Sequence, residues 1–188
     1  ILDVDRWVIR SCVELLASSA QFPPIAVNIS GRSFDEPSLP QYIADLLKRH
    51  GVAPARLLVE LTETSAVSDM QEAQRFIEAL RLTGCPVCLD DFGTGFSSFA
   101  YLKHLNADVL KIDGMFIRDL PNDADNQVFV KAILDVARGM KKITVAEFVE
   151  SQEILDMLKV FGVDLVQGYH LDIPCADHPA LRPASPPQ

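Results

Sequence analysis

Short apolar runs alternate along the chain with longer segments in which apolar residues recur every three or four positions. The runs at 25–29, 57–61, around Val87 and Leu89, at 109–112, at 143–146 and at 164–169 are rich in β-branched and aliphatic residues and have strand length. Between them the period changes. Ile43, Leu46 and Leu47 mark a helix closed by Gly51; Ala73, Phe76, Ile77 and Leu80 mark one that leads to Gly84. Phe129, Ala132, Ile133 and Val136 mark a third, ending near Gly139, and Ile154, Leu155 and Leu158 a fourth, ending at Gly162. A helix over 5–17 precedes the first strand, with Val8, Cys12, Leu15 and Leu16 on its inner face and Trp7 and Ile9 near the edges. Six strand-then-helix repeats, less a final helix, predict an α/β fold with a parallel sheet.

The polar residues inside or at the ends of these runs decide between architectures. Asn28, Glu60, Asp90, Asp91, Lys111, Asp113, Glu147 and Gln167 fall toward the C-terminal ends of the six strands. A (β/α)8 TIM-like barrel builds its active site there, from every strand in turn. A doubly wound sheet gathers its polar groups at one switch point instead. The expectation is therefore a (β/α)8 barrel of which six β/α units are present, over residues 1–174, followed by a loose Pro-, Ala- and Ser-rich tail at 175–188.

Asp90 and Asp91 are the focus of this pattern. Successive strand residues point to opposite faces, so the two carboxylates reach one site only if the chain bends, and Gly93 and Gly95 can supply the bend. Two adjacent carboxylates at a buried strand end repel unless cations neutralise them. The alternative is a pair of acidic caps for a helix begun by Ser97 and Ser98. Glu60, inside an apolar run, likewise needs a partner.

Composition narrows the function classes. The 188 residues are 48% hydrophobic and 23% charged, ordinary for one globular domain. A formal net charge of −9 with no Lys/Arg run argues against a nucleic-acid polymer as partner. An anionic small ligand would need bound metal or a few placed cationic side chains. No apolar run is long enough to span a bilayer and no signal peptide is seen, so a cytoplasmic domain is expected, whether or not its parent is membrane-tethered. Cys85 and Cys88 have the spacing of a redox pair or half a zinc site, but they sit on an apolar strand without a second pair, which favours structural burial. The histidines His50, His104, His170 and His178 share no ligand spacing.

Val27-Asn28-Ile29-Ser30, Glu60-Leu61-Thr62-Glu63, Asp90-Asp91-Phe92-Gly93-Thr94-Gly95, Lys111-Ile112-Asp113, Val145-Ala146-Glu147 and Gln167-Gly168-Tyr169 occur in this order. With these motifs the chain resembles the EAL-type cyclic di-GMP phosphodiesterase domain from about Leu2 to Pro174. The resemblance implies a barrel whose mouth binds two Mg²⁺ or Mn²⁺ ions and hydrolyses cyclic di-GMP to linear pGpG in bacterial second-messenger signalling, the pathway that governs biofilm formation. It implies Asn28, Glu60 and Asp90 on one cation and Asp91 on the second. Lys111 would position water or a phosphate oxygen, and Glu147 would be ligand or general base. Gln167, Asp113 and Glu150 would support the site or substrate, and Glu63 would brace the Asp90-Asp91 loop. It further implies sensory or GGDEF-type domains elsewhere in the parent chain, and it leaves a homodimer open.

Departures from the family pattern set up a second reading. The Glu-Ala-Leu motif and the family's two opening strands are absent from these residues, so the 188-residue chain alone is expected to be inactive. Phe148 stands where the family usually has Gly, and His170-Leu171-Asp172-Ile173 departs from the family's aromatic and Lys pattern. A bulky Phe148 either narrows the mouth or packs on the next helix. Against the enzyme stands a non-catalytic cyclic di-GMP receptor that signals through a partner; the retained acidic and amide positions favour the enzyme.

Overall fold

The computed structural model describes residues 1–94 and 101–175. Gly95, Ser97 and Ser98, which bear on the bend and on the cap reading, lie outside the described residues, as does the tail beyond Cys175.

Helix α1 (Leu2–Ser18) leads into β1 (Ile25–Asn28), α2 (Leu39–His50), β2 (Leu57–Thr62), α3 (Glu63–Ser68), α4 (Met70–Thr83) and β3 (Val87–Phe92). Then follow β4 (Val109–Ile112), α5 (Ala124–Gly139), β5 (Ile143–Ala146), α6 (Gln152–Phe161) and β6 (Leu165–Val166). All five strand pairings are parallel and the spatial order is β1-β2-β3-β4-β5-β6. An order without reversal has no switch point. It is that of a barrel wall, here a six-stranded half-barrel, and it excludes the doubly wound alternative.

The two faces of the sheet carry different chemistry because side chains alternate. Val27, Val59, Leu61, Val87, Leu89, Leu110, Ile112 and Ala146 face the helices and are buried. They meet Ile43, Leu47, Ile77, Leu80, Ile133 and Leu134 in one core. The other face is concave. Registers Ala26↔Leu58, Asn28↔Glu60↔Cys88↔Val109↔Ile143 and Lys111↔Val145↔Leu165 trace its rows. Its lower part is apolar and its top row polar.

The helix ends follow local rules. Gly51, Gly84 and Gly162 close α2, α4 and α6 in the left-handed conformation. Asp69, Asp123 and Ser151 accept backbone hydrogen bonds at the starts of α4, α5 and α6.

Two expectations are corrected. Helix α1 buries Ile9, Val13 and Leu16, with Asp5, while Trp7 and Leu15 are exposed. The Asp5 carboxylate accepts hydrogen bonds from Ser30 N at 3.2 Å and Ser33 Oγ at 2.5 Å, and this fixes the rotation of the helix against β1. The strand expected at 164–169 shortens to Leu165–Val166, because the chain turns so that Gly168 lies against the Val149 backbone. A Cβ on Gly168 would stand 2.2 Å from Val149 O. The short helix α3 has no signal of its own in the apolar period.

Arg56 ties the turn between α1 and β1 to the start of β2. Its guanidinium donates to the carbonyls of Leu16, Ser19 and Phe22 at 3.0, 3.0 and 2.8 Å. Arg56→Ala removes three charge-assisted hydrogen bonds, and chemical denaturation should show a loss of about 2–4 kcal/mol. Arg56→Lys should recover only part, because an ammonium lacks the planar fork. A variant within about 0.5 kcal/mol of wild type would show that water satisfies these carbonyls equally well.

Candidate active site

The polar top row of the concave face is built one residue per strand. Asn28 ends β1 beside Glu60, its register neighbour on β2, and acts to lower the Glu60 pKa. Glu60 is 6% exposed, Asp90 8%, Lys111 6% and Glu147 8%, an unusual density of charge for one side of a sheet. Lys111 Nζ lies at the centre, 2.9 Å from Asp90 Oδ1, 2.9 Å from Glu147 Oε1 and 3.5 Å from Glu60 Oε2.

Asp91 faces away by strand alternation, and the backbone brings it back. Between Leu89 and Phe92 the register of β3 against β4 shifts by a bulge, and Asp91 itself adopts φ 55°. The bend is thus made first by the aspartate and then by Gly93 at φ 105°. Carboxylate oxygens of Asp90, Asp91 and Glu147 come within 4.8 Å of one another. Asp113, the cap of the turn after β4, accepts from Met115 N at 2.7 Å, and its charge acts on Asp91. Glu63, fully buried, accepts from Gly93 N at 2.7 Å and so links the start of α3 to the turn after β3.

One lysine does not neutralise this many carboxylates. Burial pushes Glu60 and Glu147 above the usual carboxylate range, although Lys111 opposes the shift in both. Asp91 is raised by burial and by the charges of Asp90 and Asp113. For Lys111, burial alone would lower the pKa. Hydrogen bonds to Asp90 and Glu147 and the charge of Glu60 overcome it and hold the ammonium charged. The remaining negative charge, carried by hard oxygen donors close to one another, is the donor set that Mg²⁺ or Mn²⁺ prefers. The residues fit a divalent cation.

Gln167 and Glu150 are exposed beside this row. They line an open cavity of about 440 Å³ together with Glu147, Phe148, Arg118 and Tyr169. All ten residues singled out from the sequence therefore lie at the C-terminal ends of the strands. Glu63 stands behind the row, and Glu150 at its rim. Cys85 and Cys88 are free and buried, with both thiols pushed up by burial, as a structural role requires.

Two features lie outside the strand and helix periodicities. Arg118 reaches the cavity from the turn after β4, and no motif marks it. Phe148 takes φ 53°, a conformation that costs a non-glycine residue about 1–3 kcal/mol. Its ring lies over Gly114, with the Arg118 guanidinium 4.1 Å from its centroid.

Against known proteins, the EAL domain family matches residues 1–174. The cyclic di-GMP phosphodiesterase PdeF of Escherichia coli (strain K12) is 36% identical over 174 residues, which are 91% of this chain and 23% of PdeF. The chain thus spans about a quarter of the length of that relative. Among solved structures, the PaMucR phosphodiesterase in complex with c-di-GMP superposes with a TM-score of 0.84 at 34% identity, covering 92% of this chain and 72% of the other. The Xanthomonas citri FimX EAL domain in complex with c-diGMP gives 0.87 at 28% identity, covering 94% and 72%. A half-barrel wall with this acidic row at its strand ends, matched by the family over nearly its whole length, places the chain in the EAL domain family.

Proposed function

We propose that the protein carrying this chain hydrolyses cyclic di-GMP to linear pGpG with Mg²⁺ or Mn²⁺. The observation that supports it most is the convergence of Asp90, Asp91 and Glu147 within 4.8 Å around a buried lysine. Asn28, Glu60 and Asp90 would hold one cation, with Asp91 and Glu147 on the side of a second. A divalent ion bound there supplies a water of lowered pKa and positive charge next to the phosphate.

The chain's own residues do the rest. Glu147 takes the proton as the water oxygen bonds to phosphorus and the P–O3′ bond breaks, and the departing oxygen leaves as a hydroxyl after taking up a proton from solvent. Lys111, charged and fixed by three carboxylates, donates toward a phosphate oxygen. Glu63 and Asp113 keep the Asp90-Asp91 turn and its neighbour in place. Gln167 and Glu150 line the cavity that would receive the rest of the ligand.

Full-length protein incubated with cyclic di-GMP and Mn²⁺ should yield pGpG by chromatography, and Glu60→Ala should abolish the product. Binding without turnover in the presence of metal would instead establish the receptor, which the bulk of Phe148 at the mouth favours. Absence of both would remove the assignment. The cytoplasm as the compartment, a homodimer, and sensory or GGDEF-type domains elsewhere in the chain belong to the same proposal. No helix among the described residues is long and apolar enough to cross a membrane. The MucR protein of Pseudomonas aeruginosa, 38% identical over 178 residues, is a bifunctional diguanylate cyclase/cyclic di-GMP phosphodiesterase, which supports a cyclase-type neighbour.

A further inference from the structure

Phe148 is held in a left-handed conformation, 41% exposed, at the edge of an acidic cavity. Strain of this kind persists only where surrounding structure imposes it. Here two partners do so. Gly114 leaves the space the ring fills, since a Cβ there would stand 2.1 Å from Cδ2 of Phe148. The Arg118 guanidinium carbon lies over the ring, 4.1 Å from its centroid.

This contact has a chemical consequence for Arg118. The ring holds the guanidinium through its π face, and no hydrogen bond among the described residues takes up the N–H donors. Arg118 is exposed, lines the cavity with Glu147 and Gln167, and forms no salt bridge among the described residues. It is a cation with open donors beside a row in which the carboxylates outnumber the one buried ammonium, Lys111. Coplanar donors of that kind match two oxygens of a phosphate.

We propose that Arg118 is a substrate-binding residue that takes the non-scissile phosphate of the ligand, and that Phe148 is a positioning residue that orients it. This rests on the reading of the site as one for cyclic di-GMP. That ligand carries two phosphates; the acidic row with its cations takes the one that reacts, and the second needs a cation of its own. Gly114 is part of the same device, because any larger residue there displaces the ring.

The test uses the full-length protein and measures KM and kcat for cyclic di-GMP, with Kd by calorimetry, at two salt concentrations. Arg118→Ala should raise KM and Kd about tenfold with kcat within about threefold, the mark of binding shared by ground and transition states. It should also weaken the salt dependence of Kd. Arg118→Lys should recover part of the affinity. Phe148→Gly, which removes the strain and should melt no lower than wild type, should raise KM severalfold in the wild-type background and not at all in Arg118→Ala. An unchanged Kd in Arg118→Ala overturns the proposal. So does a weaker Kd with unaltered salt dependence, which would mean that Arg118 meets a base, and so does an equal effect of Phe148→Gly in both backgrounds. Wild-type protein that neither binds nor cleaves cyclic di-GMP sinks the underlying reading as well, whereas competent wild type with an indifferent Arg118→Ala sinks this inference alone.

Discussion

Asp90→Asn in the full-length protein should weaken Mn²⁺ binding by at least about tenfold, or about 1.4 kcal/mol, and lower cyclic di-GMP hydrolysis at least about 10²-fold. Asp90 occupies the middle of the row: one oxygen is 2.9 Å from Lys111 Nζ, and the carboxylate lies within 4.8 Å of both Asp91 and Glu147. An amide keeps the volume and loses the charge, so the change reads electrostatics and not packing. Asp91→Asn is the companion variant, because Asn tolerates φ 55° at least as well as Asp, while Asp91→Ala would add backbone strain to the lost ligand. Glu150→Gln, exposed at the cavity rim, should leave Mn²⁺ affinity as it is. Calorimetry decides. Equal Mn²⁺ affinity in wild type and Asp90→Asn would return Asp90 and Asp91 to the acidic-cap reading.

Much of this arrangement was legible because two simple periodicities rule it. Strand alternation puts Asn28, Glu60, Asp90, Lys111, Glu147 and Gln167 on one face without any knowledge of the helices, and the uninterrupted β/α succession puts that face inside a barrel wall. What alternation cannot reach is a contact made by backbone distortion or across long separations in sequence. Asp91 required a bend, and the bend sits at the aspartate itself, in a conformation that a local rule assigns to glycine. The partner of Glu60 is Lys111, 51 residues later and two strands away in the sheet, so only the register reveals it. The phase of α1 escapes the apolar pattern because Asp5 counts as polar, although it is buried on two serines of the following segment. Phe148 could have packed either way; its direction is set by the missing Cβ of Gly114, a contact between two residues that no period connects.

Removing Lys111 should have two separable effects, and their separation identifies its role. In the full-length protein, Lys111→Ala should lower turnover about 10²-fold or more, since the only buried ammonium in the described row is the one positioned to meet a phosphate oxygen. It should also lower the melting temperature of the metal-free protein. Glu60, Asp90 and Glu147 would lose their common cation, and breaking a buried ion pair from one side typically costs about 3–5 kcal/mol. The penalty has a pH signature. The folded pKa values of Glu60 and Glu147 are already above the ordinary range, and loss of Lys111 raises them further. A carboxylate with a raised folded pKa holds protons that the unfolded chain releases, so stability falls as pH rises from the unfolded value of about 4.3 through the folded one. The variant should therefore approach wild-type stability near pH 4 and fall behind it toward pH 8. Added Mn²⁺ should restore most of the difference, because a bound cation neutralises the same three carboxylates. Turnover should stay low even in that restored state. If Mn²⁺ rescues both stability and turnover, Lys111 is only a counter-charge for the empty site; if the metal-free variant melts with wild type at every pH, the three carboxylates are not ionised together and the electrostatic account of the row is wrong.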